Sequence, residues 1–195
     1  MLTAHPRLGP LALALVGDPS STKVWAQGAE GERAVAASLG TLEDAMVLHD
    51  RLLRRPDGRL SRANIDHIAV VPTGVWVIDA KSHKGRLEVR RSGGLFTPRV
   101  AELRIGGRDQ TKLIDGLHRQ VEAVRAAMQE VMPEVPVRGA LCFYGTEMPW
   151  IDQDIDGIPL RGRRGLTKLL RRTGPVDHET RETAYRRLNE WFPAA

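Results

Sequence analysis

The stretch ANIDHIAVVPTGVWVIDAKSHKG, residues 63 to 85, constrains this chain more than any other segment. Two apolar runs rich in valine and isoleucine flank a Pro-Thr-Gly turn, the pattern of an antiparallel hairpin. Pro72 suits the second position of a type I turn and Gly74 the fourth. Val71 then faces Gly74, and counting outward sets Asp66 opposite Asp79 and Asn64 opposite Lys81. Opposed residues share a sheet face with Cβ atoms about 4.5–5.5 Å apart. Strand alternation adds Lys81 to the face of Asp79. The hairpin therefore gathers two carboxylates and an ammonium group on strands that otherwise read as core.

Two like charges set directly opposite destabilise a sheet unless something compensates. A hard divalent cation, Mg²⁺ or Mn²⁺, is the natural compensation, because it takes a few carboxylate oxygens and completes its shell with water. Asp66 and Asp79 are the expected metal ligands, and the carbonyl of Ala80 lies between the charged residues as a further one. Lys81 is not a ligand. Its ammonium can orient an attacking water or stabilise charge on a phosphate.

Upstream, GAEGERAVAASLGTL has helical character. At about 100° per residue, Glu32 lies with Val35, Ala36 and Leu39 on one face, while Glu30 turns toward solvent. A carboxylate on a core-facing stripe is costly without a partner, so Glu32 is expected to reach the same cation or a second one. Gln120 flanks the stripe of Leu113, Leu117, Val121, Val124 and Met128 in a long amphipathic helix, and could bond a water or a phosphate oxygen. Each residue also has an ordinary reading. Asp66 could cap a bend, Glu32 could pair with an arginine such as Arg62, and Gln120 could be a boundary residue. His67 falls on the opposite strand face from Asp66, and His83 in the following polar turn is open to either reading. D-x-K alone is a weak pattern; convergence of the four positions argues for a site.

The chain has 195 residues, 42% hydrophobic and 27% charged, enough for one domain with one sizeable core. A formal net charge of +5 and a pI near 9.9 suit a polyanionic partner, and equally an arginine-rich surface. A lone cysteine, Cys142 in an apolar run, excludes an intramolecular disulfide and a thiolate zinc cluster. It reads as a small buried hydrophobe in a cytoplasmic protein. The apolar run near the N-terminus is interrupted by Pro10 and too short to span a bilayer, with a signal peptide the lesser reading. No membrane association is expected.

The order of elements is a helix, mixed strands, a long helix from Lys112 to Val131, a buried strand VPVRGALCFYG, a strand GIPLRG, a short basic helix RGLTKLLRR, and a last helix capped by Asp177. Residues 17–27 read as a loop and 86–105 as a strand pair turned at Ser92-Gly93-Gly94. The fold class is α/β, a central mixed sheet flanked by helices. The expected organisation is an N-terminal extension over 1–27, a core over 28–145, and a basic strand and helix extension of the same domain over 146–195.

GAEGE at 28–32, ANIDHIAVVPTGVWVIDAK at 63–81, Gly85 and the helix carrying Gln120 resemble the nuclease-related domain family, NERD, of the PD-(D/E)xK nuclease superfamily. The resemblance covers about residues 28 to 145. It implies a restriction-endonuclease-like αβββαβ core, with Glu32 the helix carboxylate, Asp66 the central metal ligand, Asp79 the second strand carboxylate, Lys81 the catalytic lysine and Gln120 the polar helix residue, Gln110 being the alternative. The family more often has glutamate where Asp79 stands.

Two basic clusters suit a phosphate backbone. One holds Arg51, Arg54, Arg55, Arg59 and Arg62 before the Asp66 strand, and the other holds Arg161, Arg163, Arg164, Lys168, Arg171 and Arg172. The expected function is Mg²⁺-dependent hydrolysis of DNA, with RNA or branched DNA as other substrates and a homodimer as an open option. The alternative is a nucleic-acid-binding or interaction module that keeps the fold and cleaves little.

Overall fold

The computed structural model describes residues 19–54, 58–94 and 97–195, and for residues 19–27, 62 and 97–99 the backbone alone. Its elements are α1 (Pro19–Leu39), β1 (Met46–Arg54), β2 (Leu60–Val71), β3 (Gly74–Ser82), β4 (Leu87–Gly94), β5 (Thr97–Ile105), β6 (Arg108–Asp109), α2 (Lys112–Gln129), β7 (Val137–Tyr144), β8 (Gln153–Ile155), β9 (Ile158–Gly162), α3 (Arg163–Leu170) and α4 (His178–Trp191). The expected αβββαβ order is present, with β4–β6 inserted before α2.

Six strands form one sheet in the order β1-β2-β3-β7-β9-β8. The pairs β1–β2, β2–β3 and β8–β9 are antiparallel, whereas β3–β7 and β7–β9 are parallel, so the sheet is mixed. Strands β4, β5 and β6 make a separate small sheet. The hairpin pairs Val71 with Gly74 and keeps that register to His67 opposite Ile78.

Strand alternation divides the core into two layers. Ile68, Val70, Val75 and Val77 pack with Leu117, Val121 and Val124 of α2 and with Leu188 and Phe192 at the end of α4. On the other face Ala69, Trp76, Ile78 and Cys142 meet Val35 and Leu39 of α1 and Leu166 and Leu170 of α3. Cys142 is fully buried, and desolvation pushes its thiol up to about 12, so it behaves as a small apolar filler.

Two glycines let helices lie directly on strand backbone. A Cβ at Gly139 of β7 would sit 2.8 Å from Val121 Cγ2 and 3.0 Å from Leu117 Cγ, so α2 rests on that glycine. A Cβ at Gly31 would come within 3.3 Å of Ser82 Cβ, which seats α1 against the end of β3.

Several expectations need correction. Helix α1 begins at Pro19, so most of the stretch read as a loop is helical; proline is favoured in a first helical turn. Strand β2 begins at Leu60, upstream of the stretch from which the hairpin is read. The glycines expected to turn the 86–105 pair lie within β4, where the register shifts between Ser92 and Gly94 and Gly93 takes a positive φ of 86°, a bulge geometry. The short strand β8 was not anticipated. In α2 the buried stripe includes Ile114, while Leu113 is half-buried. Asp177 caps α4 as expected, its carboxylate accepting from the Thr180 N–H at 2.8 Å.

Valine at Gly139 should overpack the α2–β7 contact and cost about 1–3 kcal/mol. Thermal melts should then fall by several degrees; unchanged melting for Gly139→Val would mean that α2 does not rest on β7 as described.

Candidate active site

The backbone ladder between β2 and β3 stops at His67 opposite Ile78. One step further, the Ala80 N–H would meet the Ile65 carbonyl in a continuing ladder. It donates instead to Asp66 Oδ2 at 2.8 Å. The strands part here, and a side-chain carboxylate takes the place of a main-chain acceptor. Because the N–H and C=O of one strand residue point the same way, the Ala80 carbonyl also faces this opening.

Asp79, 5% exposed, lies against Asp66. Lys81 Nζ donates to Asp79 Oδ1 at 2.5 Å. The structure thus brings Asp66, Asp79 and Lys81 together on the α2 side of the sheet, as the hairpin register predicts. Burial, then the Asp79 charge and a hydrogen bond with its carboxyl, push Asp66 up to about 8, against the opposing pull of Lys81 and the Ala80 N–H. Burial by itself would lower Lys81, but Asp79, Asp66 and Glu32 outweigh it and hold the ammonium above its usual range. Lys81 is therefore charged at neutral pH.

Glu32 departs from expectation. It comes from α1, on the other face of the sheet, and its side chain is exposed rather than part of the core stripe. It stands at the rim, close enough to feel the site: partial desolvation first, then Asp50, and also Asp79, raise its pKa, against Lys81. The face count fails because Gly31, not Glu32, makes the close contact with β3. Glu30, expected in solvent, is exposed but accepts from the Tyr144 hydroxyl at 2.8 Å.

Asp50 was not anticipated. It lies opposite Asp66 across β1, between the pairs His49–His67 and Arg51–Ile65. Its φ of 48° is left-handed, a conformation that aspartate tolerates better than most residues. Asn64 Nδ2 donates to Asp50 Oδ1 at 2.7 Å. The only sequence signal was a polar His-Asp pair inside an apolar strand.

Gln120 is half-buried on the α2 face that also carries Asp66 and Asp79, and its Oε1 is buried with no partner among the described residues. Gln110 instead opens the turn into α2, its N–H donating to the Leu103 carbonyl at 2.8 Å. His67 lies on the opposite face, as expected. Its Nδ1 is 2.9 Å from His49 Nδ1, and burial followed by His49 pushes it down to about 4, so it is neutral. Burial and then Lys81 lower His83 as well.

The first arginine cluster is reduced. Arg54 donates to the Trp191 carbonyl at 3.1 Å and to the Gly58 carbonyl at 2.7 Å, and stacks 5.3 Å from the Trp191 ring centroid, so it ties β1 to α4 rather than offering its donors to phosphate. Arg55 lies outside the described residues, as does the side chain of Arg62. Arg59 is exposed. Arg163 and Arg164 are exposed and line a cleft of about 450 Å³. A larger cavity of about 590 Å³ surrounds the Pro72 turn at the far end of the sheet, away from the carboxylates.

Among the described residues, no group of three or more His, Cys, Asp or Glu side chains is arranged to hold a metal ion. Glu32 in particular does not close on the strand pair. What is present is a pair of hard oxygen donors, Asp66 and Asp79, with the Ala80 carbonyl facing the same opening and the Gln120 acceptor on the same side. That set fits Mg²⁺, which is commonly held by one or two carboxylates plus substrate phosphate and water.

The raised Asp66 sets a direction for stability. A carboxyl whose folded pKa exceeds its unfolded value favours the folded state at low pH, and that advantage is lost as pH rises through the folded pKa. In chelator, the melting temperature should therefore fall between the ordinary carboxylate range and about pH 8, following the raised Asp66. Asp66→Asn keeps an acceptor for Ala80 but removes the titration. Melts across pH should show a flatter profile for this variant; a parallel profile would count against the assignment.

No curated protein and no solved structure matches the chain. The model of the family described as Nuclease-related domain, NERD, matches residues 27–144, which contain Glu32, Asp50, Asp66, Asp79, Lys81 and Gln120. With more than half of its length matched, this chain belongs to the nuclease-related domain family.

Proposed function

We propose that the protein is a divalent-metal-dependent nuclease that hydrolyses phosphodiester bonds in DNA. The supporting observation is the Asp66–Asp79–Lys81 cluster at the point where β2 and β3 part. Two adjacent carboxylates with a charged lysine suit a phosphate under attack, and the Ala80 N–H needs only the Asp66 acceptor.

Asp66, Asp79 and the Ala80 carbonyl would hold Mg²⁺ or Mn²⁺. Bound there, the cation would neutralise the scissile phosphate and acidify water beside it. Lys81, anchored by Asp79, stabilises charge growing on the phosphate and orients the attacking water. Glu32, with its raised pKa, is suited to take a proton at the rim of the site. The unpartnered Gln120 acceptor can orient a donor on the same face.

Supercoiled plasmid and single-stranded DNA should be cut with Mg²⁺ or Mn²⁺ and spared in EDTA. Lys81→Ala should reduce the rate roughly 10²- to 10³-fold. Equal cleavage by this variant and the parent would sink the reading. Mg²⁺ should also raise the melting temperature of the parent, since a ligand of the folded state stabilises it; Asp79→Ala should lose that shift.

Two observations favour a second reading, a binding module with little cleavage. The described carboxylates do not form a three-ligand cage, and Lys81 is engaged by Asp79. Salt-dependent DNA binding without cleavage under either metal would select it.

A further inference from the structure

Three parallel strands end at one level beside the site. Lys81 of β3 pairs with Phe143 of β7, and Phe143 pairs with Gly162 of β9. Arg163 follows Gly162 directly, two strand spacings, or roughly 10 Å, from the Lys81 backbone. In open sheets, ligands bind outside the carboxyl ends of parallel strands.

The connection from β7 to β8 leaves from this same end. Glu147 exchanges main-chain hydrogen bonds of 3.0 Å with Gly85 and Leu87, just beyond Lys81. The loop then presents Trp150, at 105% relative exposure, and Ile151, at 75%. A fully exposed tryptophan forfeits the largest apolar burial any side chain can make. Among the acids of this region, Asp152 and Asp154 share one arginine, while Glu147 and Asp156 are exposed. Buried Arg161 pairs with Asp154 at 2.9 Å and with Asp152 at 3.4 Å. Arg163 and Arg164 stay exposed with no acidic residue in the first turn of α3, and the Arg163 guanidinium lies 5.5 Å from the Tyr144 ring centroid.

The loop reaches the basic strand end through Pro149 and Ile151, which line one cleft with Arg163 and Arg164. An exposed aromatic on such a loop suits single-stranded nucleic acid, whose bases stack while its phosphates meet the cations. We infer that Trp150, with Arg163 and Arg164, forms a stacking platform that leads an unpaired strand toward Lys81, so that the substrate class is nucleic acid with unpaired bases rather than uniform duplex. The inference deepens the nuclease reading by naming its substrate, and rests on that reading only for the chemistry that follows binding. Continuity with the strand ends, and two exposed arginines in a helix turn that carries no acid, favour nucleic acid over a protein occupant.

The test is fluorescence anisotropy of the full chain in EDTA, where no cleavage intervenes, with a labelled oligothymidylate and a blunt duplex of equal length. Trp150→Ala should weaken single-strand binding roughly 5- to 100-fold, the range set by loss of one stacked base. Duplex binding should change much less. Trp150→Phe should restore most of the loss, and Arg163→Ala with Arg164→Ala should flatten the salt dependence. Binding is read in EDTA without turnover, so failure of the nuclease reading in the cleavage assay leaves this result standing. Equal losses on both DNAs, or none, would overturn the platform. So would unchanged DNA affinity with a change in oligomeric state for Trp150→Ala on size-exclusion chromatography, which would mark the loop as a protein interface.

Discussion

The structure depends on one interrupted ladder. An antiparallel pair normally satisfies its backbone groups strand to strand, and the β2–β3 pair does so from the Pro72 turn to His67 and Ile78. Beyond that, the Asp66 carboxylate accepts from Ala80. One substitution of acceptor allows the strands to part without leaving that N–H unsatisfied, turns the Ala80 carbonyl into the gap, and carries Asp79 and Lys81 to its edge. The cost is a carboxylate pair in a poorly solvated place, visible in the raised Asp66. Lys81 offsets part of that cost. A cation would offset the rest, which is why the site reads as chemistry rather than packing.

The mixed sheet gives that gap an open side. Antiparallel pairing brings β2 and β3 together through a tight turn, while parallel pairing of β3, β7 and β9 sends three carboxyl ends to one border. Helix α2 seals the face that bears the carboxylates because Gly139 lets it lie on the strand, and α1 closes the other face through Gly31. The outer edge of β1 is covered as well. The Leu52 N–H donates to Pro193 O at 2.9 Å, and the Ala195 N–H to Asp50 O at 3.0 Å, so residues 193–195 add pairing beside the kinked Asp50. Arg54 and Arg51, which hold the Trp191 and Phe192 carbonyls, belong to this lacing.

Where local chemistry decides a feature, it was legible in the residues. A two-residue turn fixes register, so the meeting of Asp66 and Asp79 on one face followed by counting. The stripe of α2 and the Asp177 cap were legible for the same reason, since helix periodicity and capping act within a few residues. Glu32 misled because helical phase gives a face and not a depth: the contact that seats α1 is made by Gly31, and Glu32 is left at the rim. Asp50 was hidden because the register of β1 on β2 shifts between Leu52 and Arg54, so counting from the connection does not reach Asp66. Arg54 looked like a phosphate contact because its partners, the carbonyls at Trp191 and Gly58, are invisible without tertiary structure.

The sequence by itself determined the hairpin, its register and the identity of the groups gathered on it, because those rest on alternation and on a turn too short to slip. It also carried the family, through motifs that lie on that hairpin and on α1. Only the tertiary structure decided how far the groups converge: that Asp66 enters the ladder, that Glu32 stays outside, that Asp50 joins from β1, and that Trp150 stands in solvent beside the strand ends. Those outcomes depend on packing between segments far apart in the chain, where distance is set by what each helix can rest upon rather than by any local preference.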